Sequence, residues 1–240
     1  MVYSRDAEID NYRFKTRERV FQNGRTSAER LARAVETETG VALDGRRVLD
    51  YGCGVGRLAL PLAERCEHVY GLDVTLGVLE EAAANAERLG VGNAEWLEAD
   101  RLASLSGSYD FVLTVHVLQH IPTRQGERIV SQLVAGLAPG GVGYINVVLR
   151  PRNPMLNVAR RIWRSPFGRR PRRKSGKAAP RLDRLRVWDL SYAYMMRNSY
   201  SLDRLGRLLL AQGIIRWHVR VEPGGGGRAY DGATLIFVKE

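Results

Sequence analysis

The stretch VLDYGCGVGRLALPLA, residues 48–63, constrains the fold of this chain more than any other. Val48 and Leu49 end a short apolar strand, and Asp50 closes it with a carboxylate. Glycines then occupy every second position, at Gly52, Gly54 and Gly56. Alternating glycines between a strand and a helix allow a tight turn and a close backbone approach to a ligand, and the helix N-terminus behind them offers free N–H groups. The stretch therefore predicts a strand–loop–helix ligand site.

The spacing of this loop argues against a phosphate ligand. It is Asp-x-Gly-x-Gly-x-Gly, whereas dinucleotide-binding folds use G-x-G-x-x-G, and no Gly-Lys-Ser/Thr follows as in a P-loop. An acid directly before the glycines repels a phosphate but attracts an ammonium. A tight turn without a ligand is the alternative interpretation. The loop favours a cationic small molecule over a nucleotide phosphate.

Strands and helices alternate along the next hundred residues. The predicted strands cover 68–73, 94–98, 109–115 and 142–149, and the predicted helices cover 76–89, ending at Gly90, and 124–138, followed by a turn at 139–141. Elements of this length predict a parallel, doubly wound α/β sheet, with a ligand crevice at the C-terminal ends of its strands.

Polar side chains follow four of these strands, at Asp50, Asp73, Asp100 and His116. Asp73 follows Asp50 by 23 residues. In nucleoside-binding sheets, a carboxylate at about this spacing along the chain binds the ribose hydroxyls. Asp100 could accept from an adenine amino group. A solvated strand end and a turn cap are the respective alternatives. The coincidence of four such residues at one sheet edge is stronger evidence than any single motif.

The segments on either side of this core are predicted to be helical at the front and mixed at the end. Residues 12–39 read as one or two helices, with a break at Asn23-Gly24 and Thr26 or Ser27 as the second cap. After residue 200, Ser201 caps a helix that Gly213 ends. Two strands at 214–222 and 233–239 follow, without room for a crossover helix, and are predicted to pair antiparallel. Aromatic residues near the start either pack on the domain or fold over a ligand: Tyr3, Tyr12 and Phe14.

The net charge is concentrated in one segment. The 240 residues contain 37 Lys/Arg and 26 Asp/Glu, a formal net charge of +11. Residues 150–186 alone hold 14 Lys/Arg and one acid, Asp183, which leaves 23 basic and 25 acidic residues elsewhere. The body of the protein is therefore near neutral, and a nucleic-acid interpretation of the charge rests on one insertion.

Composition indicates a single domain over residues 1–240 in a reducing compartment. Hydrophobic residues make up 45% and charged residues 26% of the chain, as in globular proteins. The first twenty residues are too charged for a secretory signal, and no apolar run is long enough to span a membrane. Two cysteines, Cys53 and Cys66, indicate neither a disulfide framework nor a zinc site. A cytoplasmic location without a metal is expected.

The order DYGCGVGRLALPLA, GLDVT, EAD, YDFVLTVHVLQHIP and LAPGG resembles the class I S-adenosylmethionine-dependent methyltransferases, of the type that acts on small molecules. The resemblance implies a Rossmann-like sheet of seven strands, ordered 3-2-1-4-5-7-6, with strand 7 antiparallel. It divides the chain into an N-terminal helical cap (1–44), a cofactor-binding core (45–149), a basic lid insertion (150–199) and a closing helix with a hairpin (200–240).

The resemblance also assigns the cofactor, S-adenosylmethionine, to particular residues. The loop from Asp50 to Gly56 would hold its methionine part, Asp73 its ribose hydroxyls, and Asp100 with the Arg101 backbone its adenine. The carbonyls of Thr114 and Val115 would reach its amino group. The implied cofactor-binding set is Asp50, Gly52, Cys53, Gly54, Gly56, Asp73, Val74, Asp100, Arg101, Thr114 and Val115.

His116 is the candidate catalytic residue. Methyl transfer is an in-line displacement in which the protein aligns two reactants, and an oxygen nucleophile needs a base, which a neutral imidazole can supply near pH 7. A polar lining residue is the alternative for His116, and His120 is interpreted as structural. Members of the resembled family that methylate amino groups of adenine or glutamine usually carry an Asn-Pro-Pro-Tyr-like tetrapeptide after the fourth strand. None follows here, so the resemblance disfavours those acceptors. O-methylation of a small or amphiphilic metabolite, such as a sugar, lipid-linked or natural-product acceptor, is predicted.

The insertion carries the acceptor hypotheses. Residues 155–167 project as an amphipathic helix with Trp163 and Phe167 on its apolar face, followed by the basic run 169–177. It is interpreted as a lid over the site, or as a helix in the interface of an anionic membrane with 155–177 as the contact, at the inner face. Trp188, Tyr192, Tyr194, Met195 and Met196 are either an acceptor pocket or ordinary packing. RNA methylation and cofactor binding without catalysis are the alternative functions, and the oligomeric state is open.

Overall fold

The computed structural model describes residues 17–151, 198–222 and 230–240. The helices are α1 (Arg17–Thr39), α2 (Ala59–Ala63), α3 (Leu76–Leu89), α4 (Thr123–Gly136) and α5 (Leu202–Ala211). The strands are β1 (Arg47–Tyr51), β2 (His68–Asp73), β3 (Ala94–Glu98), β4 (Tyr109–Thr114), β5 (Leu137–Pro151), β6 (Trp217–Glu222) and β7 (Tyr230–Val238). Short 3₁₀ helices cover Ala99–Leu105 and Leu118–His120.

These strands form one seven-stranded sheet in the order β3-β2-β1-β4-β5-β7-β6. Strands β1 to β5 pair parallel, and β7 pairs antiparallel with both β5 and β6. The predicted sheet order and the antiparallel hairpin are confirmed. At its centre Asp50 pairs with Gly71 of β2 and with Leu113 of β4, so the ends of three strands meet at one point of the sheet edge.

Each face of the sheet buries its own hydrophobic core. Alternate strand residues point to opposite faces, so Val48, Val69 and Phe111 pack with α1, α2 and α3. Leu49, Leu72 and Val112 pack on the opposite face, against α4 and α5. Burial on both faces is typical of parallel strands, and it holds the strand ends that carry the polar residues in fixed positions.

The prediction of a break at Asn23-Gly24 is wrong. Helix α1 runs without interruption from Arg17 to Thr39. Thr26 and Ser27 do not cap a second helix, because their hydroxyls donate to the carbonyls of Gln22 and Asn23, at 3.2 and 2.8 Å. Gly24 serves packing instead: a Cβ on it would lie 2.1 Å from the carbonyl oxygen of Arg57.

The predicted turn at 139–141 is an irregularity inside an extended segment. The β4–β5 register steps from Tyr109–Leu137 to Phe111–Val142, so β5 contains extra residues there. Gly140 has a positive φ of 70°, and its N–H donates to the carbonyl of Lys239 at 2.7 Å. The chain end therefore pairs with this bulge and holds the extended backbone, where a free turn was expected.

The caps of α3 and α5 agree with the sequence. Gly90 ends α3 in the left-handed conformation. The Ser201 hydroxyl accepts from the N–H of Arg204 at 3.4 Å at the start of α5. Residues 152–197 lie outside the described residues, and with them the interpretations of 155–167 and 169–177 and of the aromatic set from Trp188 to Met196; so do Tyr3, Tyr12 and Phe14. No helix in the described part of the chain is long and apolar enough to cross a membrane.

Candidate active site

The glycine loop leaves β1 in a conformation that only glycine adopts readily. Gly52, Gly54 and Gly56 have φ values of 79°, 55° and 83°, which an L side chain disfavours. The N–H groups of Gly52 and Cys53 both donate to the carbonyl of Leu72 in β2, at 2.7 and 3.0 Å. The loop therefore folds back against the end of β2, with its backbone at the strand-end crevice.

Asp73 ties the end of β2 to this loop. Its Oδ2 accepts from the N–H of Gly54 at 3.1 Å, and its Oδ1 accepts from the N–H of Thr75 at 3.0 Å. Burial raises the pKa of Asp73, and these backbone hydrogen bonds oppose the rise. A carboxylate has about four acceptor sites, so both oxygens keep the capacity to accept hydroxyl donors from a ligand.

Asp50 is a buried carboxylate at the centre of the crevice. It is 3% exposed, and burial raises its pKa to about 7, with the charge of Asp73 adding to the rise and that of Arg57 opposing it. Burying a carboxylate is costly without a compensating cation or donor. The site therefore favours a positively charged ligand group near Asp50.

Arg57 is a member of this site that the sequence did not identify. It is half-buried, and burial lowers its pKa while the charge of Asp50 opposes the shift. Its Nη1 donates to the hydroxyl of Ser27 in α1 at 3.5 Å. Together with the Gly24 contact, this places α1 directly against the glycine loop. The sequence signal was Gly24 itself, which was interpreted as a helix break although the glycine makes room for the Arg57 carbonyl.

The end of β4 forms the third side of the crevice. Thr114 is buried, and its Oγ1 has no hydrogen-bond partner among the described residues. Val115 is half-buried and His116 is exposed. His116 has a φ of 63°, the one positive value at a residue other than glycine in the described ranges. Histidine is among the residues that tolerate this region, and such strained positions cluster at functional sites.

Val117 brings this segment against the glycine loop. A Cβ on Gly52 would lie 2.3 Å from Val117 Cγ2, so the absence of a side chain at Gly52 makes room for the valine. His120 was predicted to be structural. Its Nε2 lies 3.1 Å from the Nε2 of Gln119. The sequence pattern contained no signal for the contact between Val117 and Gly52.

Asp100, Arg101 and Val74 lie at the outer end of the crevice and are exposed. Asp100 stands in the 3₁₀ helix after β3, two residues beyond Glu98, which pairs with Asp73. Val74 is 71% exposed. Arg101 lines a shallow cleft of about 500 Å³ with Trp96, Glu98 and Leu76. The structure thus groups Asp50, the loop and Asp73 tightly, with Asp100 and Arg101 further out.

Comparison with known proteins bears on this architecture. Residues 48–141 match the family model described as a methyltransferase domain. The core of this chain is thus similar to a methyltransferase domain. It is 39% identical over 94 residues to the magnesium-protoporphyrin O-methyltransferase of Synechocystis sp., a match that covers 39% of this chain and 41% of that protein.

A second curated relative acts on RNA. The 23S rRNA (uracil(1939)-C(5))-methyltransferase of Xylella fastidiosa is 36% identical over 99 residues, which cover 36% of this chain and 22% of that protein. The chain therefore spans less than half the length of these curated relatives. The methyltransferase domain is what they share with it.

Solved structures extend the likeness to the whole fold. The Synechocystis magnesium protoporphyrin IX methyltransferase with bound SAH superposes with a TM-score of 0.63 and 22% identity, covering 99% of this chain and 97% of that one. The Rossmann-like sheet of seven strands, with its order and its antiparallel strand, is the fold that this chain shares with that structure. That solved structure holds bound SAH.

Proposed function

We propose that this protein is an S-adenosylmethionine-dependent methyltransferase that methylates an oxygen of a small or amphiphilic metabolite. The observation that carries the proposal is the position of Asp50, Asp73 and His116 at the ends of three neighbouring strands, next to a loop of positive-φ glycines, in a segment that matches a methyltransferase domain. The similarity to the magnesium-protoporphyrin O-methyltransferase supports the choice of oxygen.

The residues present fit the cofactor. Asp50 is a buried anion without a full counter-charge and suits the ammonium of the aminoacyl part, next to the backbone of Gly52, Cys53, Gly54 and Gly56. Asp73 keeps free acceptor sites for the ribose hydroxyls. Val74, Asp100 and Arg101 would meet the adenine, and the backbone carbonyls of Thr114 and Val115 the amino group.

S-adenosylmethionine supplies an electrophilic methyl group on a sulfonium. The protein's contribution is to align the acceptor oxygen with that group and to exclude water. Val117, packed on Gly52, holds the segment after β4 against the glycine loop. Asp50 and Asp73 make the crevice anionic, which favours a cationic ligand.

His116 is proposed as the base that takes the proton from the acceptor hydroxyl. It is exposed, it follows the end of β4, and its backbone has the strained positive φ that is frequent at functional sites. A base must lie within hydrogen-bond reach of the proton that it removes. The neighbouring His120 contacts Gln119 instead, so it offers a matched control.

His116→Asn tests this role while preserving the backbone. Asparagine also tolerates positive φ, so the segment keeps its shape and loses only the imidazole. We expect methyl transfer from labelled S-adenosylmethionine into cell-extract acceptors to fall by about 10²-fold or more, and His120→Asn to keep most of its turnover. Equal turnover in His116→Asn and wild type would show that His116 only lines the crevice.

RNA methylation is the second candidate, and the rRNA methyltransferase relative is the observation that favours it. The basic run 169–177 could neutralise phosphates. One short tract on a near-neutral body is less than the basic face of an RNA-binding protein, so the metabolite proposal takes precedence.

We also propose that residues 150–199 select the acceptor and that the protein works in the cytoplasm, at times peripheral to the inner membrane face. The thiols of Cys53 and Cys66 are buried and donate to the carbonyls of Gly54 and Leu43, which suits a reducing compartment. Flotation with anionic vesicles tests the membrane contact through 155–177. Flotation that Trp163→Glu leaves unchanged would remove the interfacial helix from the proposal.

A further inference from the structure

Residues 198–200, the described segment that leads into α5, bind to the backbone of the segment that follows His116. The N–H of Asn198 donates to the carbonyl of Gln119 at 2.7 Å, and its side-chain Nδ2 donates to the same oxygen at 3.4 Å. The hydroxyl of Thr123 donates to the carbonyl of Ser199 at 3.2 Å. We call residues 198–200 the return segment.

Tyr200 is the centre of this contact. The side chain is 4% exposed, and its hydroxyl lies 2.8 Å from the carbonyl oxygen of Leu118 and 3.1 Å from that of Ile121. Its one proton is shared between two carbonyls of the 3₁₀ turn. Its own N–H donates to the carbonyl of Val148 in β5 at 2.8 Å. Tyr200 thus joins β5 to the turn.

Helix α4 is shaped to receive this hydroxyl. A Cβ on Gly126 would lie 2.0 Å from Tyr200 Oη, so any other residue there would displace the tyrosine. Burial raises the pKa of Tyr200 above its ordinary value, with the charge of Glu127 adding to the rise. The hydroxyl is therefore a neutral, fixed donor.

The turn that Tyr200 holds is continuous with two features of the crevice. His116, with its positive φ, directly precedes Val117, and Val117 packs into the space at Gly52. The turn then closes through the N–H of His120, which donates to the carbonyl of Val117 at 2.9 Å. A backbone shift at Leu118 therefore also moves Val117 and His116, because these three residues are consecutive in the chain.

We infer that Tyr200 is a positioning residue, whose hydroxyl fixes the segment from His116 to Ile121 against the glycine loop. Tyr200 lies where the chain returns from the insertion that is proposed to select the acceptor. The inference rests on the proposed function, because the segment that Tyr200 fixes begins at His116. The return segment thereby links β5, the turn after His116 and, through Val117, the glycine loop.

The test compares Tyr200→Phe with Tyr109→Phe in the full chain. Tyr109 is also buried, its hydroxyl donates to the carbonyl of Leu133 in α4 at 2.8 Å, and a Cβ on Gly136 would lie 2.5 Å from that hydroxyl. Both variants lose one buried tyrosine hydroxyl against a glycine of the same helix. Only Tyr200 contacts the turn after His116.

Hydrogen exchange measured on the peptide covering 116–122 separates the two roles. We expect Tyr200→Phe to exchange roughly tenfold faster there than wild type, and Tyr109→Phe to match wild type. We also expect the imidazole NMR signal of His116 to shift in Tyr200→Phe alone. Equal exchange and an unmoved His116 signal in the two variants would overturn the inference.

Titration with S-adenosylhomocysteine keeps this result distinct from the proposed function. Binding to wild-type protein is measured first and bears on the methyltransferase proposal alone. Tyr200→Phe is expected to keep that affinity within about threefold, because Asp50, Asp73 and the loop glycines are unchanged. If Tyr200→Phe no longer binds S-adenosylhomocysteine, as expected of an unfolded protein, the role of Tyr200 is global and structural. That result would also overturn the inference.

Discussion

Asp50 and Asp73 put two carboxylates at neighbouring strand ends, and only one of them is well supported by donors. Asp73 accepts two backbone N–H groups, whereas Asp50 is held mainly by the opposing charge of Arg57 and is destabilised by burial and by Asp73. An anion kept in that environment lowers the stability of the ligand-free protein. Residues of this kind are retained for binding, at the expense of stability.

Asp50→Asn should therefore change how stability depends on pH. The pKa of Asp50 rises from 3.8 to about 7 on folding, so the folded state binds its proton more tightly, and stability falls as pH rises from about 4 to about 7. In Asp50→Asn this loss disappears, and the ligand-free variant is more stable than wild type at pH 8. Denaturant unfolding across this pH range measures it.

Asp44→Asn is the control for that experiment. The hydrogen bond from Arg65 lowers the pKa of the exposed Asp44, so its contribution to stability is lost only as pH falls below the ordinary carboxylate range. Between pH 4 and 7 its unfolding profile should run parallel to that of wild type. An Asp50→Asn profile that also runs parallel would contradict the burial of a titrating carboxylate.

Residue patterns identified the acids of the site better than its contacts. Asp50 and Asp73 follow short apolar strands, and parallel strands bring their ends to one edge, so local sequence was sufficient. Arg57, Val117 and Tyr200 contribute through neighbours that are distant in the sequence, at Ser27, Gly52 and Leu118. No local periodicity reports such pairs.

At the scale of elements, α1 supports the glycine loop. Gly24 interrupts a helical pattern, and propensity alone favours a break there. Tertiary packing overrides that preference, because the carbonyl of Arg57 occupies the space of the missing Cβ. The boundaries of β2, β3 and α3 follow from sequence because their turn and capping residues agree with their hydrophobic periodicity.

Gly24→Ala decides between helix propensity and tertiary packing by the sign of the change in stability. In an exposed helix the substitution stabilises by about 1 kcal/mol. Here a Cβ 2.1 Å from the Arg57 carbonyl oxygen must push the loop or the helix away, so we expect destabilisation by about 1–3 kcal/mol and weaker binding of S-adenosylhomocysteine. Thermal or denaturant unfolding gives the sign directly.

Gly92→Ala provides the comparison for that change. An added Cβ at Gly92 has nothing within 4 Å, and the residue lies outside the helices, so its stability should stay within about 0.5 kcal/mol of wild type. A stabilised Gly24→Ala would contradict the packing of α1 on the loop.

At the scale of the whole molecule, a near-neutral body carries one strongly basic insertion. The sheet order could be predicted because the whole set of motifs indicates one family. The acceptor could not, because it depends on residues 150–199, whose composition fits several partners. The basic charge of the insertion and the proposed methyl-donor site therefore lie in different parts of the sequence.

Neutralising the run 169–177 tests that separation. Replacing its six Lys/Arg residues by Gln should leave the affinity for S-adenosylhomocysteine within about twofold, because the proposed cofactor-binding residues, from Asp50 to Val115, lie outside this run. For wild type we expect only weak RNA binding at physiological salt. Tight, steeply salt-dependent RNA binding that disappears in the neutralised protein would favour the RNA methyltransferase over the metabolite enzyme.

The most direct measurement of the central claim is calorimetric titration of the full chain with S-adenosylhomocysteine, for wild type, Asp73→Asn and Glu95→Gln. We predict saturable one-to-one binding to wild type, a loss of at least about tenfold in Asp73→Asn because a charged acceptor is removed, and wild-type affinity in Glu95→Gln, an exposed acid of β3. No binding to wild type at millimolar ligand, or equal affinities in Asp73→Asn and wild type, would contradict the methyl-donor site described here.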